Sequence, residues 1–210
     1  MGRLTIERCP RDRLDSVLDD LARLRIAVFR AWPYLYDGDD PEYERRYLEV
    51  YRRSPKAAVI LARDGETIVG ASTCLPMADE GEAMRAPFVR RGLDLDPIFY
   101  FGESVLLPAY RGQGAGVRFF ALREAAAREA GARIATFCAV RRPADHPARP
   151  AGAEPLDAFW TKRGYIKLSG VSMEYPWKEV GGTGETPHTL DFWARTLDGG
   201  ALPNELMEAS

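Results

Sequence analysis

The sequence has few of the residues that hold metals or form disulfides. Three cysteines and two histidines occur in 210 residues. Cys9, Cys74 and Cys138 are odd in number and lie far apart, with no CxxC pair. This spacing argues against a disulfide framework and against a zinc site. With so little histidine, we expect no metal centre, and any cofactor should be organic.

Long apolar runs and an excess of basic residues are also missing. No stretch approaches the roughly 20 apolar residues that a membrane span requires. The first twenty residues carry charges throughout and lack the apolar core of a secretory signal. The net charge is −2, which does not favour a nucleic-acid partner. The sequence therefore predicts a cytoplasmic protein with neither membrane nor nucleic acid as a partner.

The chain does contain enough apolar residues, 46%, to bury the core of one α/β domain. The runs 57–63 and 66–75, joined by Asp64-Gly65, predict a β-hairpin. The run 98–107 is apolar on both faces, as in a strand covered on both sides. We predict further strands at 3–8, 132–140, 165–177 and 189–197, and helices at 12–29, 42–53, 115–130 and 155–163. Residues 76–97 should form a loop that can contain a helical turn, and the last dozen residues a loose tail.

A glycine-rich loop follows the strand at 98–107. Gly112, Gly114 and Gly116 alternate where the next helix must begin, although each glycine inside a helix costs about 0.5–1 kcal/mol against alanine. Residues 108–118 contain no acid, and Arg111 lies at the positive end of the helix dipole. An anion bound by the free N–H groups would explain both features. A tight turn that uses glycine for its geometry is the alternative.

The loop does not match the common nucleotide-binding patterns. The Rossmann pattern fails at Val117, and no Gly-Lys-Ser/Thr is present for a P-loop. What matches is Arg-x-x-Gly-x-Gly at 111–116, after a strand and opening a helix. This resembles the pyrophosphate loop of the GNAT superfamily of N-acetyltransferases. The segment Phe159-Trp-Thr-Lys-Arg-Gly-Tyr165 is similar to the second GNAT signature, Phe-Tyr-x-x-x-Gly-Phe, and the strand order fits from residue 3 to about 197.

The resemblance implies an α/β GNAT fold over 3–197, a single mixed sheet with splayed central strands flanked by helices, followed by a tail at 198–210. It implies direct transfer of the acetyl group of acetyl-CoA to a primary amine of a small molecule or peptide. It also implies that one N–H near Leu106 polarises the thioester carbonyl. The strand contacts to pantetheine would come from Val105, Leu106 and Leu107, and the pyrophosphate contacts from Arg111, Gly112, Gln113, Gly114, Ala115 and Gly116.

Two residues are candidates for proton transfer. Glu103 is the only acid in the run 98–107, and a carboxylate there is costly unless it is paired or used. It is therefore either the base that deprotonates the amine or the partner of an arginine. The tyrosine that the resemblance expects as the acid is replaced by Trp160. Tyr165, at the last aromatic position of the signature, is our candidate acid, although such a residue often belongs to the core. The other possible donors are Tyr110, Tyr175, His146 and water.

The acceptor cannot be read from the sequence. Aromatic residues at 32, 34 and 36 precede acids at 37, 39 and 40, which would suit a cationic amine or form an acidic, capped loop with core aromatics. Two other functions stay open: a CoA-binding sensor without catalysis, which Trp160 favours, and a protein that binds another phosphorylated ligand. The acyl-chain length is open, and so is the oligomeric state, a homodimer included.

Overall fold

A computed structural model describes residues 4–208. Helices cover both faces of one mixed sheet in this range. The strands are β1 (Thr5–Arg8), β2 (Ala58–Asp64), β3 (Thr67–Pro76), β4 (Ile98–Leu106), β5 (Ile134–Val140), β6 (Ile166–Lys178) and β7 (Glu185–Thr196). The helices are α1 (Leu18–Phe29), α2 (Pro41–Arg53), α3 (Glu82–Val89), α4 (Ala115–Glu129), α5 (Asp157–Thr161) and α6 (Asn204–Met207).

The sheet order is β1-β2-β3-β4-β5-β7-β6. The pair β4–β5 is parallel, and the other neighbouring strands are antiparallel. The predicted hairpin is confirmed, because β2 and β3 pair directly on either side of a turn in which Gly65 has a φ of 59°. That left-handed conformation is the one that glycine adopts without strain.

Three predicted segments differ in the structure. The first predicted helix begins as a 3-10 helix over Arg11–Val17 and becomes α1 only from Leu18. The expected loop at 76–97 contains α3, whose buried residues Met84 and Phe88 lie four apart, on one helix face. The expected loose tail is wrong for residues 204–207, because they form α6 and Leu206 is fully buried.

The core forms one apolar cluster on each face of the sheet. On one face, side chains of α1, α2 and α3 pack against β4 residues such as Tyr100 and Val105. On the other face, α4 and α5 cover an aromatic group that includes Phe99 and Phe101 of the same strand. The prediction that the strand at 98–107 is covered on both sides is therefore confirmed.

The centre of the sheet is split between β4 and β5. The two strands pair only where Ile98, Phe99 and Tyr100 meet Ile134, Ala135 and Thr136. Beyond these pairs β4 continues to Leu106 and β5 to Val140 without pairing with each other. The splayed central strands are thus present as predicted. In the outer half of β4, residues 101–106, the edge that faces β5 does not pair with that strand.

Candidate active site

The glycine loop lies between β4 and α4 and gives the helix an open N-terminus. Gly112 and Gly114 have φ values of 77° and 81°, and a Cβ on either would meet no protein atom within 4 Å. The first turn of α4 contains no acidic side chain. Arg111 is exposed beside it. Free backbone N–H groups, the helix dipole and a nearby arginine together favour an anion at this point.

Gly116 has a different reason to be glycine. Its φ is not in the left-handed region, and an added Cβ would stand 3.1 Å from the ring of Phe159 on α5. Ala115 is also buried, at the first position of α4. Gly116 therefore lets the start of α4 pack closely on Phe159 of α5. Gln113 is exposed in the loop.

The outer half of β4 presents backbone groups to the split. The Leu107 N–H donates to the Val69 carbonyl on β3 at 3.0 Å. Since neighbouring residues of a strand direct their N–H groups to opposite edges, the Leu106 N–H faces the split. The Leu106 carbonyl also points away from β3 and accepts from Nε of Arg111 at 3.4 Å. The side chain of Val105 is buried in the core on the α1 side.

On the face of the sheet that α1 and α2 cover lies a cavity of about 100 Å³, open to solvent. Its walls are largely aromatic, and its polar side chains include Arg25 of α1 and Glu103 of β4. The lining residues are Arg25, Phe29, Tyr34, Tyr36, Tyr43, Tyr47, Met84, Tyr100, Gly102, Glu103, Cys138, Tyr175, Trp177 and Leu190. The cavity therefore reaches β4 just beyond the point where β5 leaves it.

A bulge in β4 places Glu103 in this wall. Ser72 pairs with Ser104 and Cys74 with Phe101, so Gly102 and Glu103 together face the single residue Thr73. Such a bulge bends the strand and redirects a side chain. Gly102 is required here, because a Cβ would collide with the hydroxyl of Tyr51 on α2.

Glu103 is part of a buried ion-pair network. Its side chain accepts a hydrogen bond from Nη1 of Arg25 and another from the hydroxyl of Thr73. Nε of Arg25 donates to Glu44 of α2 at 2.5 Å, and the Tyr36 hydroxyl donates to the same carboxylate at 2.6 Å. Arg25, Glu44 and Glu103 are all buried. Of the two interpretations of Glu103, the structure therefore shows the arginine pair, and it also leaves the carboxylate at the cavity.

The pKa values of Arg25 and of nearby Glu80 are set by burial and by the excess of carboxylates in the network, two against one guanidinium. Burial alone would lower the pKa of Arg25, but the carboxylates of Glu103 and Glu44 outweigh it and the pKa is raised. The guanidinium therefore stays charged. Nearby, burial and the negative charge of Glu103 raise the pKa of Glu80 to about 7, although the Gly81 N–H donates to this carboxyl.

The second candidate for proton transfer, Tyr165, lies elsewhere. It is fully buried in the cluster beneath α4 and α5, and its hydroxyl donates to Oε1 of Glu124 at 3.0 Å. It does not line the cavity that contains Glu103. Trp160 belongs to the same cluster, with its ring 5.1 Å from those of Phe137 and Trp193. The structure thus gives Tyr165 a packing role and does not bring it together with Glu103.

The remaining candidates divide between the cavity and other places. Tyr175 lines the cavity, whereas the Tyr110 hydroxyl donates to Asp64 at 2.9 Å. His146 lies in the loop after β5, with its ring 5.1 Å from that of Trp32. Tyr34 and Tyr36 line the cavity, but the acids that follow them serve the loop: Asp37 pairs with Arg30 and Lys178, and Asp40 caps α2.

Sequence reasoning missed Arg25, Glu44, Glu80 and most of the tyrosines. Arg25 had a detectable signal, because it lies on the apolar face of α1 beside Leu21 and Leu24, where an exposed arginine would not be expected. The sequence contains no comparable signal for Glu44, because acidic residues are common in the first turn of a helix.

Two further properties concern the chain as far as it is described. Between residues 4 and 208, no helix combines the length and the apolar character needed to cross a bilayer. Over the same residues, no three His, Cys, Asp or Glu side chains come together in a way that could hold a metal ion.

The fold is that of known acetyltransferases. A Salmonella typhimurium protein solved with its cofactor acetyl-CoA superposes with a TM-score of 0.56 at 14% identity, over 96% of this chain and 98% of that one. An aminoglycoside 6'-N-acetyltransferase solved with coenzyme A gives 0.56 at 16%, over 95% and 99%. A ribosomal-protein-alanine N-acetyltransferase from Brucella melitensis gives 0.55 at 15%, over 91% and 99%. At these identities the likeness establishes the fold class alone.

The sequence itself identifies the family. The model of the acetyltransferase (GNAT) family matches residues 21–157, more than half of the chain. The protein therefore belongs to the GNAT acetyltransferase family, as the glycine loop and the second signature predicted. A search of the curated proteins found no similar sequence.

Proposed function

We propose that this protein is an N-acyltransferase that passes the acetyl group of acetyl-CoA directly to a primary amine of a small molecule or peptide. One observation carries the proposal. The strand β4 forms an edge of the split, leads into the glycine loop, and places Glu103 in the wall of the cavity on the α1 face of the sheet. A cofactor along the split and an acceptor in the cavity would therefore meet at the same strand.

The residues on the cofactor side fit acetyl-CoA. Gly112 and Gly114 leave open space above the N-terminus of α4, and Arg111 adds positive charge there. These features suit the pyrophosphate. The free edge of β4 at 105–107 would hold the pantetheine arm, and the Leu106 N–H would polarise the thioester carbonyl. When bound, acetyl-CoA supplies an acetyl group activated as a thioester.

On the acceptor side, Glu103 would accept the proton that the amine must lose before it can attack. Each oxygen of the carboxylate receives one hydrogen bond from the protein. Because a carboxylate oxygen can accept two, each keeps room for the amine. No side chain is assigned as the acid for the thiol, and we propose that water supplies that proton.

Trp160 favours a second function, CoA binding without catalysis. The indole N–H can donate a hydrogen bond but cannot give up its proton as tyrosine can. A sensor would need the split and the glycine loop but no proton acceptor at the cavity. The two functions therefore differ in whether the carboxylate of Glu103 is needed for turnover.

The test begins with the melting temperature of the full chain with acetyl-CoA, NADH or ATP. Ligand at 100 times its dissociation constant stabilises by about 2.7 kcal/mol, equivalent to a few degrees. A rise specific to acetyl-CoA, with amine-dependent thiol release that falls at least about 100-fold in Glu103→Gln, would support the proposal. A specific rise without turnover of any amine would favour the sensor. An equal rise with ATP would favour another phosphorylated ligand.

A further inference from the structure

The cavity beside Glu103 is built mainly from aromatic side chains. Six tyrosines, Phe29 and Trp177 contribute to its walls. Flat aromatic walls favour a ring in the ligand, which they contact edge-on or in an offset stack. Sites of this kind bury the apolar body of a small molecule and orient it with few polar groups.

The buried ion-pair network that reaches the cavity carries one net negative charge. Arg25 lies between two carboxylates, Glu44 and Glu103, and the exposed fractions of their side chains are 10%, 0% and 4%. Among the lining residues within the described chain, Arg25 is the only base and Glu103 the only acid. Near Trp177, Arg142 pairs with Glu179 and adds no net charge. A buried charge without compensation is costly, so the site favours a ligand with one positive charge.

The same geometry limits the number of charges that a ligand can carry. The guanidinium of Arg25 already lies over the rings of Tyr47 and Phe29, 4.0 and 5.2 Å from their centroids. The protein therefore fills the place where those rings would hold a second cation. A second ammonium group would meet aromatic walls without a carboxylate. A carboxylate on the ligand would be repelled by the net negative charge.

We infer that the acceptor is a primary monoamine that carries an aromatic ring and no carboxylate, with its ammonium group at Glu103 and its ring among the tyrosines. This inference rests on the proposed function. The amine nitrogen forms an amide bond to the acetyl carbon as the carbon–sulfur bond of the thioester breaks. Of the two protons that the ammonium group loses, one ends on the thiol sulfur and the other passes through Glu103 to solvent.

The first measurement compares four amines by thiol release at saturating acetyl-CoA. 2-Phenylethylamine has the ring and one charge, and n-butylamine lacks the ring. Spermidine lacks the ring and adds charges, so it is compared with n-butylamine for charge, and L-phenylalanine keeps the ring and adds a carboxylate. We expect kcat/KM for 2-phenylethylamine to exceed that for each of the others by at least about tenfold.

A pair of variants isolates the effect of charge. Tyr43 is the most accessible residue of the lining, 38% exposed, so substitutions there leave the buried network intact. Tyr43→Lys adds a positive charge, whereas Tyr43→Gln removes the ring alone. We expect the KM for 2-phenylethylamine to be about tenfold higher in Tyr43→Lys than in Tyr43→Gln. The preference over L-phenylalanine should shrink in the lysine variant only.

The outcomes separate the inference from the proposed function. If acetyl-CoA raises the melting temperature but spermidine, L-phenylalanine or n-butylamine is acetylated as fast as 2-phenylethylamine, the inference is wrong and the proposed function stands. The inference also fails if acetyl-CoA binds and 2-phenylethylamine is not acetylated, or if the two Tyr43 variants have the same KM. Absence of any acetyl-CoA binding would overturn the proposed function itself.

Discussion

Thr73 and Glu103 are joined by two hydrogen bonds across the bulge between β3 and β4. The Thr73 hydroxyl accepts the backbone N–H of Glu103 at 2.9 Å and donates to Oε2 of the same residue. Because two residues of β4 face one residue of β3 at this point, the regular ladder cannot satisfy both of them. One threonine side chain therefore fixes the main chain and the carboxylate of Glu103 together.

Replacing Thr73 with valine should release both the main chain and the carboxylate of Glu103 from this side chain. The side chain keeps its shape but loses both hydrogen bonds, so we expect the free energy of unfolding to fall by about 1–3 kcal/mol. We also expect kcat for acetyl transfer to fall about tenfold, because the proton acceptor is less well oriented. The comparison is Ser72→Ala, which removes a buried hydroxyl 3.1 Å from Oγ of Ser104. Equal kcat values in the two variants would show that Thr73 is structural only.

The sequence predicts the position of the glycine loop because its signal is local. Glycines at 112 and 114, at the start of a helix, are typical of a loop with left-handed backbone conformations, and both have a positive φ in the structure. Glu103 was found because a carboxylate interrupts an apolar strand. Each of these features is encoded within a few residues of the chain.

The acceptor side could not be read in the same way. Arg25 and Glu103 are 78 residues apart in sequence, and their contact depends on how α1 packs on β4. The bulge depends on the register of β3 against β4, which the local sequence does not determine. Tyr47, Tyr100 and Tyr175 come from three different elements that only the fold brings to one cavity.

Loss of Arg25 should be more harmful than loss of the whole ion pair. Arg25→Met leaves Glu44 and Glu103 buried without a cation, and we expect the free energy of unfolding to fall by about 3–5 kcal/mol. Adding Glu44→Gln removes one of the two stranded charges. Denaturant titration should therefore find the double variant more stable than Arg25→Met alone. A further loss of stability in the double variant would contradict the charge balance described for the network.

Glu80 should make stability depend on pH. Burial, together with the charge of Glu103, raises its pKa from 4.5 to about 7, so the folded protein holds an extra proton between these pH values. The stability that this proton contributes is complete below about pH 4.5 and is lost as the pH rises through 7. The free energy of unfolding of Glu80→Gln, relative to that of the wild type, should therefore increase by on the order of 2 kcal/mol from pH 5 to pH 8. Stability curves that run parallel would show that the carboxyl is not buried in solution.

Two glycines with the same backbone angle separate strain from ligand binding. Gly114 and Gly181 have φ values of 81° and 82°, and neither would bring a Cβ within 4 Å of another residue. Alanine at either position should cost about 1–2 kcal/mol of stability. Only Gly114→Ala should weaken the binding of acetyl-CoA, by at least about tenfold in calorimetric titration, since only that Cβ would face the pyrophosphate in the proposed complex. Equal affinities in the two variants would mean that the loop is no more than a turn.

Tyr165→Phe tests the remaining prediction from the second signature. The Tyr165 hydroxyl donates to Glu124, which also pairs with Arg195 and Arg128 and so keeps partners after the change. We therefore expect a loss of about 0.5–1.5 kcal/mol in the free energy of unfolding. The value of kcat for acetyl transfer should stay within about twofold, because the hydroxyl lies outside the cavity that contains Glu103. If Tyr165 protonates the leaving thiol, kcat should instead fall by about 100-fold or more. Measuring kcat at a temperature well below both melting points keeps the two effects separate.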